Sequence, residues 1–217
     1  SSIGGYAVRM FASEYRDRVA ALVLVDASHE NQEHRVPRLA RFVPLLSAVG
    51  VLRLAGISFG LPPAALEPSV RKFAEATRFR STAQRATAAE IIHVRESAAQ
   101  VTAARRRLTV PLIVVTAGRS ADAAWLALQS DLVQLSQRGC HIIAEQSGHA
   151  IPIENPDAVV FAVRTAVASI RGQEDSVARC QSGEWRRTQP PGQTELDTVT
   201  PLPNKPLLQT PEPPSVL

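Results

Sequence analysis

Two stretches of this chain leave little choice of architecture. Val19 to Val25 and Val110 to Val115 are near-continuous apolar runs. Such runs fit parallel strands covered on both faces, whereas a half-exposed strand would alternate polar and apolar residues. Parallel neighbours need a long crossover between them, and the block from Arg35 to Arg107 has helical periodicity with no strand signal. A third, shorter run, Cys140 to Ala144, follows an amphipathic segment from Trp125 to Leu135. Ahead of the first strand, Gly5 to Tyr15 carries Tyr6, Met10 and Phe11 at helical spacing. The order is helix, strand, helical block, strand, helix, strand, helix. It predicts an α/β fold with three parallel strands flanked by helices.

The helical block reads as an insertion over the sheet. Leu39, Phe42, Val43, Leu46, Val49 and Leu52 mark one amphipathic helix. Val70, Phe73, Ala74 and Phe79 form an apolar stripe after Pro62-Pro63, and a longer helix runs from about Thr82 to Arg107. Near the other end, Asn155-Pro156-Asp157 has the cap, proline and acid of a helix start, leading to a helix that reaches about Ile170. Eight of the sixteen prolines then fall between Pro190 and Pro214. A stretch so poor in periodic apolar residues cannot offset its chain entropy. The predicted organisation is core at 1–34, helical cap at 35–107, core again at 108–171 and a disordered tail at 172–217.

Charge and cysteine content exclude several roles. The net charge of +4 comes from arginines scattered among acids, without the aromatic interleaving of a nucleic-acid surface. The cluster Arg105-Arg106-Arg107 complements a helix C-terminal dipole. Cys140 and Cys180 show neither metal-ligand nor disulfide spacing. No apolar run is long enough to span a bilayer. The compartment is left open, with the cytoplasm favoured. No metal or organic cofactor is implied, and the oligomeric state is left open.

Three polar positions stand where chemistry could occur. Ser2 lies in Ser1-Ser2-Ile3-Gly4-Gly5-Tyr6, Asp26 ends the first strand, and His149 lies in Gln146-Ser147-Gly148-His149-Ala150 after the last. A serine, a carboxylate and a late histidine give the order nucleophile, acid, base. Together with Leu22 to Glu30, Pro111 to Gly118 and Glu154-Asn155-Pro156, these stretches resemble the C-terminal half of a capped α/β-hydrolase, from Ser1 to about Ile170. The resemblance implies Ser2 as nucleophile on a strained strand-to-helix elbow, with Gly4 permitting close packing. It also implies the Ile3 backbone N–H as an oxyanion donor and His149 as general base. The acid is placed at Asp26, with Asp122, the more usual place in the fold, as the alternative. As structural residues, Asp26 would cap the following loop and Asp122 would cap the Trp125 helix. Asp131 and Asp157 fit helix surfaces. Among the other histidines, His34, His93 and His141 read as structural or solvated. His29, close behind Asp26, either lines the substrate pocket or is buried and hydrogen-bonded.

The implied activity is hydrolysis of a small-molecule ester, amide or related acyl substrate through an acyl-enzyme. Serine at position 2 argues against the epoxide hydrolase and dehalogenase branches, which place aspartate there. The elbow motif wants a glycine two residues before its serine, and the sequence starts one residue too late for it. The chain is therefore expected to be part of a longer protein, lacking the strands before the elbow and one oxyanion donor. Alone it is expected to have little or no activity. The alternatives are a non-catalytic binding module or a non-hydrolytic enzyme, such as a lyase, on the same fold.

Overall fold

The structure, a computed structural model, describes residues 1–34, 36–57, 62–119, 121–173 and 175–185. Helix α1 (Gly4–Glu14) leads through a turn to strand β1 (Leu22–Val25). A helical block follows as α2 (Val43–Ala48), α3 (Val51–Leu54), α4 (Pro68–Thr77) and α5 (Ser81–Ala103). The core resumes with β2 (Leu112–Ala117), α6 (Ala123–Val133), β3 (Gly139–Ala144), α7 (Ile151–Glu154) and α8 (Pro156–Ile170), and ends with α9 (Asp175–Gln181). The strands form one parallel sheet in the order β1-β2-β3, with Leu22 opposite Leu112 and Leu112 opposite Gly139.

Alternation along β2 explains why its run had to be apolar throughout. Ile113, Val115 and Ala117 point to one face, against Ala158, Ala162 and Ala166 of α8. Leu112 and Val114 point to the other, against Ala12 of α1 and Leu132 of α6. All six residues of β2 are buried. Small alanines on α8 let that helix lie close to the sheet. This helical block meets the sheet layer where Val94, Ala98 and Val101 of α5 pack on Tyr6 of α1.

β1 is paired on one side by β2. Its other side meets only Ser2, through an isolated parallel bridge to Ala27, among the described residues. An apolar groove of about 700 Å³, walled by Val8 and Phe11 of α1 and Val163 and Val167 of α8, runs along that open edge.

Three expectations change. The single helix expected over Leu39–Leu52 is a 3-10 turn followed by α2 and α3. Pro44 starts α2, and Gly50, at φ +78°, breaks the helix in a left-handed conformation that glycine adopts without strain. The Val70–Phe73 stripe faces solvent: no residue of α4 is buried, and Phe73 is 70% exposed. The third concerns Cys140 and Cys180, which are joined in a disulfide across a sequence separation of 40. That bond ties α9 to β3 and carries ordered structure past the expected start of the tail at 172. Val177, Cys180 and Trp185 are buried in the same cluster as α8. The rest of the expected disordered tail, 186–217, lies outside the described residues.

Candidate active site

The site is assembled at the carboxyl ends of the strands, where open α/β sheets place their ligands. Ser2 and Asp26 are the two non-glycine residues with positive φ among those described, at 51° and 41°. Such conformations cost of order 1–3 kcal/mol each and persist only where the surroundings over-determine them. Here the surroundings are explicit. Ser2 N–H donates to the Asp26 carbonyl at 3.2 Å, and the Ser2 carbonyl accepts from Gly5 N at 2.9 Å and Ser28 N at 3.0 Å. The turn therefore locks Ser2 between the start of α1 and the loop after β1.

The close approach that this turn needs falls on Gly5, one residue later than expected. A Cβ at Gly5 would stand 2.6 Å from the Ala27 Cβ, whereas one at Gly4 would have nothing within 4 Å. Ile3 sits at the N-cap of α1 in αR conformation, without a side-chain cap. Its backbone N–H makes no protein hydrogen bond among the described residues. A free N–H at a helix start, adjoining the serine, is a ready donor to negative charge.

Asp26 is held from three directions. Its Oδ1 accepts from the Ala117 backbone N–H and from the Trp125 indole N–H, both at 3.1 Å. Its Oδ2 lies 2.6 Å from His149 Nδ1. The carboxylate is buried while the imidazole is open to solvent. The hydrogen bond and the charge of Asp26 raise the His149 pKa above 6.5, with partial burial and the chain's amino terminus acting against the rise. No hydrogen bond links Ser2 Oγ to His149 among the described residues. Gly118 brings the two strand-end loops together, since a Cβ there would meet the Glu145 Cα at 2.6 Å.

Asp122 does something else. It is the N-cap of α6, its Oδ1 accepting from Trp125 N at 2.7 Å. Trp125 thus receives both candidate acids, Asp122 at its backbone and Asp26 at its indole. His29 is not a pocket wall: it is fully buried, with Nδ1 accepting from Asn31 N at 3.0 Å and Nε2 2.7 Å from Asp131 Oδ2. His93 pairs with Glu96 on the exposed face of α5, His141 contacts Thr116, and His34 contacts Tyr6.

A buried ion network went unread in the sequence. Arg9 makes a two-pronged pair with Glu30 at 2.7 and 2.8 Å. Arg105 bridges Glu30 at 2.6 Å and Asp131 at 2.7 Å. Burial pushes the Glu30 pKa up, but the arginine hydrogen bonds outweigh it and hold the carboxyl at about 2. Arg105 thus has a tertiary partner besides the helix-end role expected of it. The one signal available was that Arg9 lies on the apolar side of α1.

No helix among the described residues is long and apolar enough to cross a membrane. Nor do the described residues gather three or more metal-ligating side chains. No family model and no curated protein matches the sequence. Solved structures do match. A protein described as an ancestral haloalkane dehalogenase aligns with a TM-score of 0.56 at 15% identity, over 79% of this chain and 67% of its own. A thermophilic esterase from Thermogutta terrifontis aligns with a TM-score of 0.53 at 18% identity, over 78% and 63%. A protein described as a lipase from Acinetobacter baumannii gives 0.50 at 13% identity, over 79% and 60%. The chain therefore has the α/β-hydrolase fold. It spans a little under two thirds of the esterase and the lipase, and these neighbours are enzymes of that superfamily.

Proposed function

We propose that this chain carries the catalytic triad of a serine hydrolase, with Ser2 as nucleophile, His149 as general base and Asp26 as the acid. The observation that carries the reading is the 2.6 Å contact between Asp26 Oδ2 and His149 Nδ1. A carboxylate fixed by two further donors can orient the imidazole, leaving Nε2 to take the serine proton. Asp122 is committed to capping α6, which favours Asp26 as the acid. Ser2 sits on a strained turn at the same strand ends, with the unbonded Ile3 N–H beside it as an oxyanion donor. In the proposed reaction Ser2 Oγ attacks the acyl carbon of an ester or amide while His149 accepts its proton. His149 then returns that proton to the leaving alcohol or amine, and water activated by the same imidazole releases the acid. No metal or cofactor is required by these steps.

Fluorophosphonate labelling, with the adduct located by mass spectrometry, tests the assignment. Label on Ser2, lost in Ser2→Ala and much reduced in His149→Gln, is the expected result. Label elsewhere, or label on Ser2 indifferent to His149→Gln, refutes it and leaves a binding module on a hydrolase fold.

A further inference from the structure

We propose that the cap docks on an anionic lipid membrane. Although acids are interspersed among the arginines along the chain, the balance is uneven: residues 35–107 hold thirteen Arg or Lys against four Asp or Glu, while the rest hold eleven against sixteen. The cap is thus +9 on a remainder of −5. The same segment bears the large apolar side chains most open to solvent, Leu54 at 89%, Phe73 at 70%, and Leu45 and Val49 at 64% each. These are not hydrophobic residues that failed to find a core by an isolated accident of sequence. α4 turns Val70 and Phe73, one turn apart, toward solvent, and buries nothing.

Cation and apolar group are neighbours along the chain: Arg41-Phe42, Arg53-Leu54 and Lys72-Phe73. Arg41 lies 4.8 Å over the Phe42 ring. Among the described residues Arg41, Arg53 and Lys72 pair with no carboxylate. A nucleic acid would satisfy the cations but leave Leu45, Val49 and Leu54 in water, and a neutral membrane would do the reverse. Anionic headgroups above an acyl layer satisfy both at once, as for interfacial helices with basic and apolar faces. The cap would thereby be applied to the source of an apolar acyl substrate, but the proposal stands whether or not Ser2 is the nucleophile.

The test is flotation of the 217-residue protein with phosphatidylcholine vesicles, with and without phosphatidylglycerol. Binding is expected only with phosphatidylglycerol, and should fall as salt rises. Arg53→Gln with Lys72→Gln should weaken it about thirtyfold. Leu54→Ser with Phe73→Ser should weaken it about a hundredfold. All four side chains lie outside the buried core, so circular dichroism should be unchanged, and the two pairs test charge and apolar contact independently. Equal binding to neutral vesicles, no binding at low salt, or binding indifferent to Leu54→Ser with Phe73→Ser would each overturn the proposal. The last outcome would identify a general polyanion surface.

Discussion

Cutting the Cys140–Cys180 bond should remove about 4 kcal/mol of stability. The bond closes a loop of about forty residues, from β3 through α8 to α9. Loop-closure entropy of the unfolded chain, about −2.1 − 1.5R ln n in cal/mol/K, amounts to roughly 4 kcal/mol at 25 °C for such a loop. The native side adds a local consequence. β3 is the outer strand of the described sheet, and its outward carbonyls are covered by the α9 segment. Gln181 Nε2 donates to Gly139 O at 2.7 Å and Trp185 Nε1 to Ile143 O at 3.2 Å. Trp185 also packs on Phe161, with ring centroids 5.4 Å apart. Releasing α9 would bare an apolar strand edge as well as lengthen the free chain. Urea unfolding followed by tryptophan fluorescence, with and without dithiothreitol, reads both effects. For a slope near 2 kcal/mol/M the midpoint should fall by about 2 M. Cys180→Ser should reproduce the reduced midpoint and be indifferent to reductant. A midpoint unmoved by either perturbation would refute the argument.

The remaining predictions concern the acids and the histidine. In an active form of the protein, Asp26→Asn should lower kcat about ten-thousandfold, as loss of the imidazole-orienting carboxylate does in serine proteases. Asp122→Ala should leave kcat nearly intact and cost about 1 kcal/mol in denaturant unfolding, the worth of a helix cap. Because Asp26 raises the His149 pKa and the base must be neutral to act, kcat/KM should climb with pH through an inflection above 6.5. A profile already flat below 6.5 would count against His149 as base. Glu30 has its pKa lowered, so its contribution is complete above the ordinary value of 4.5 and disappears as pH falls toward about 2. Roughly 3 kcal/mol of stability should vanish across that acid interval. Acid unfolding of Glu30→Gln, already destabilised at neutral pH, should show a correspondingly shallower dependence.

What could be read beforehand was whatever depends on local pattern. The apolar runs of β1 and β2 announced a covered parallel sheet because each residue in them must face one of two helical layers. Asn155-Pro156 announced the start of α8 because capping is decided within a few residues. The chain order of Ser2, Asp26 and His149 was legible, whereas the 2.6 Å contact of Asp26 with His149 was not. Pairing was not, because the link between Cys140 and Cys180 depends on how α8 returns the chain to β3. The exposure of Val70 and Phe73 was hidden for the same reason: helical spacing shows that two residues share a face, but not what the face meets. Gly4 and Gly5 could not be told apart by motif, since only the position of Ala27 makes the second one necessary.

The charge network gives that distinction a mechanical meaning. Glu30 stands shortly before the helical block between β1 and β2 and Arg105 just after α5, so their 2.6 Å contact fastens the two ends of that block to each other. Arg9 ties the pair to α1, the helix that begins at the proposed nucleophile, and Asp131 ties it to α6, the helix that carries Trp125 against Asp26. His29 closes the set through Asp131. Arg9 and Glu30 are the buried pair of the set, and removing either one would leave the other charged and poorly solvated, which typically costs about 3–5 kcal/mol; Arg105 and Asp131 are partly open to water and matter less. The helical block between β1 and β2 is thus tied to the same two helices that adjoin Ser2 and Asp26, α1 through Arg9 and α6 through Asp131.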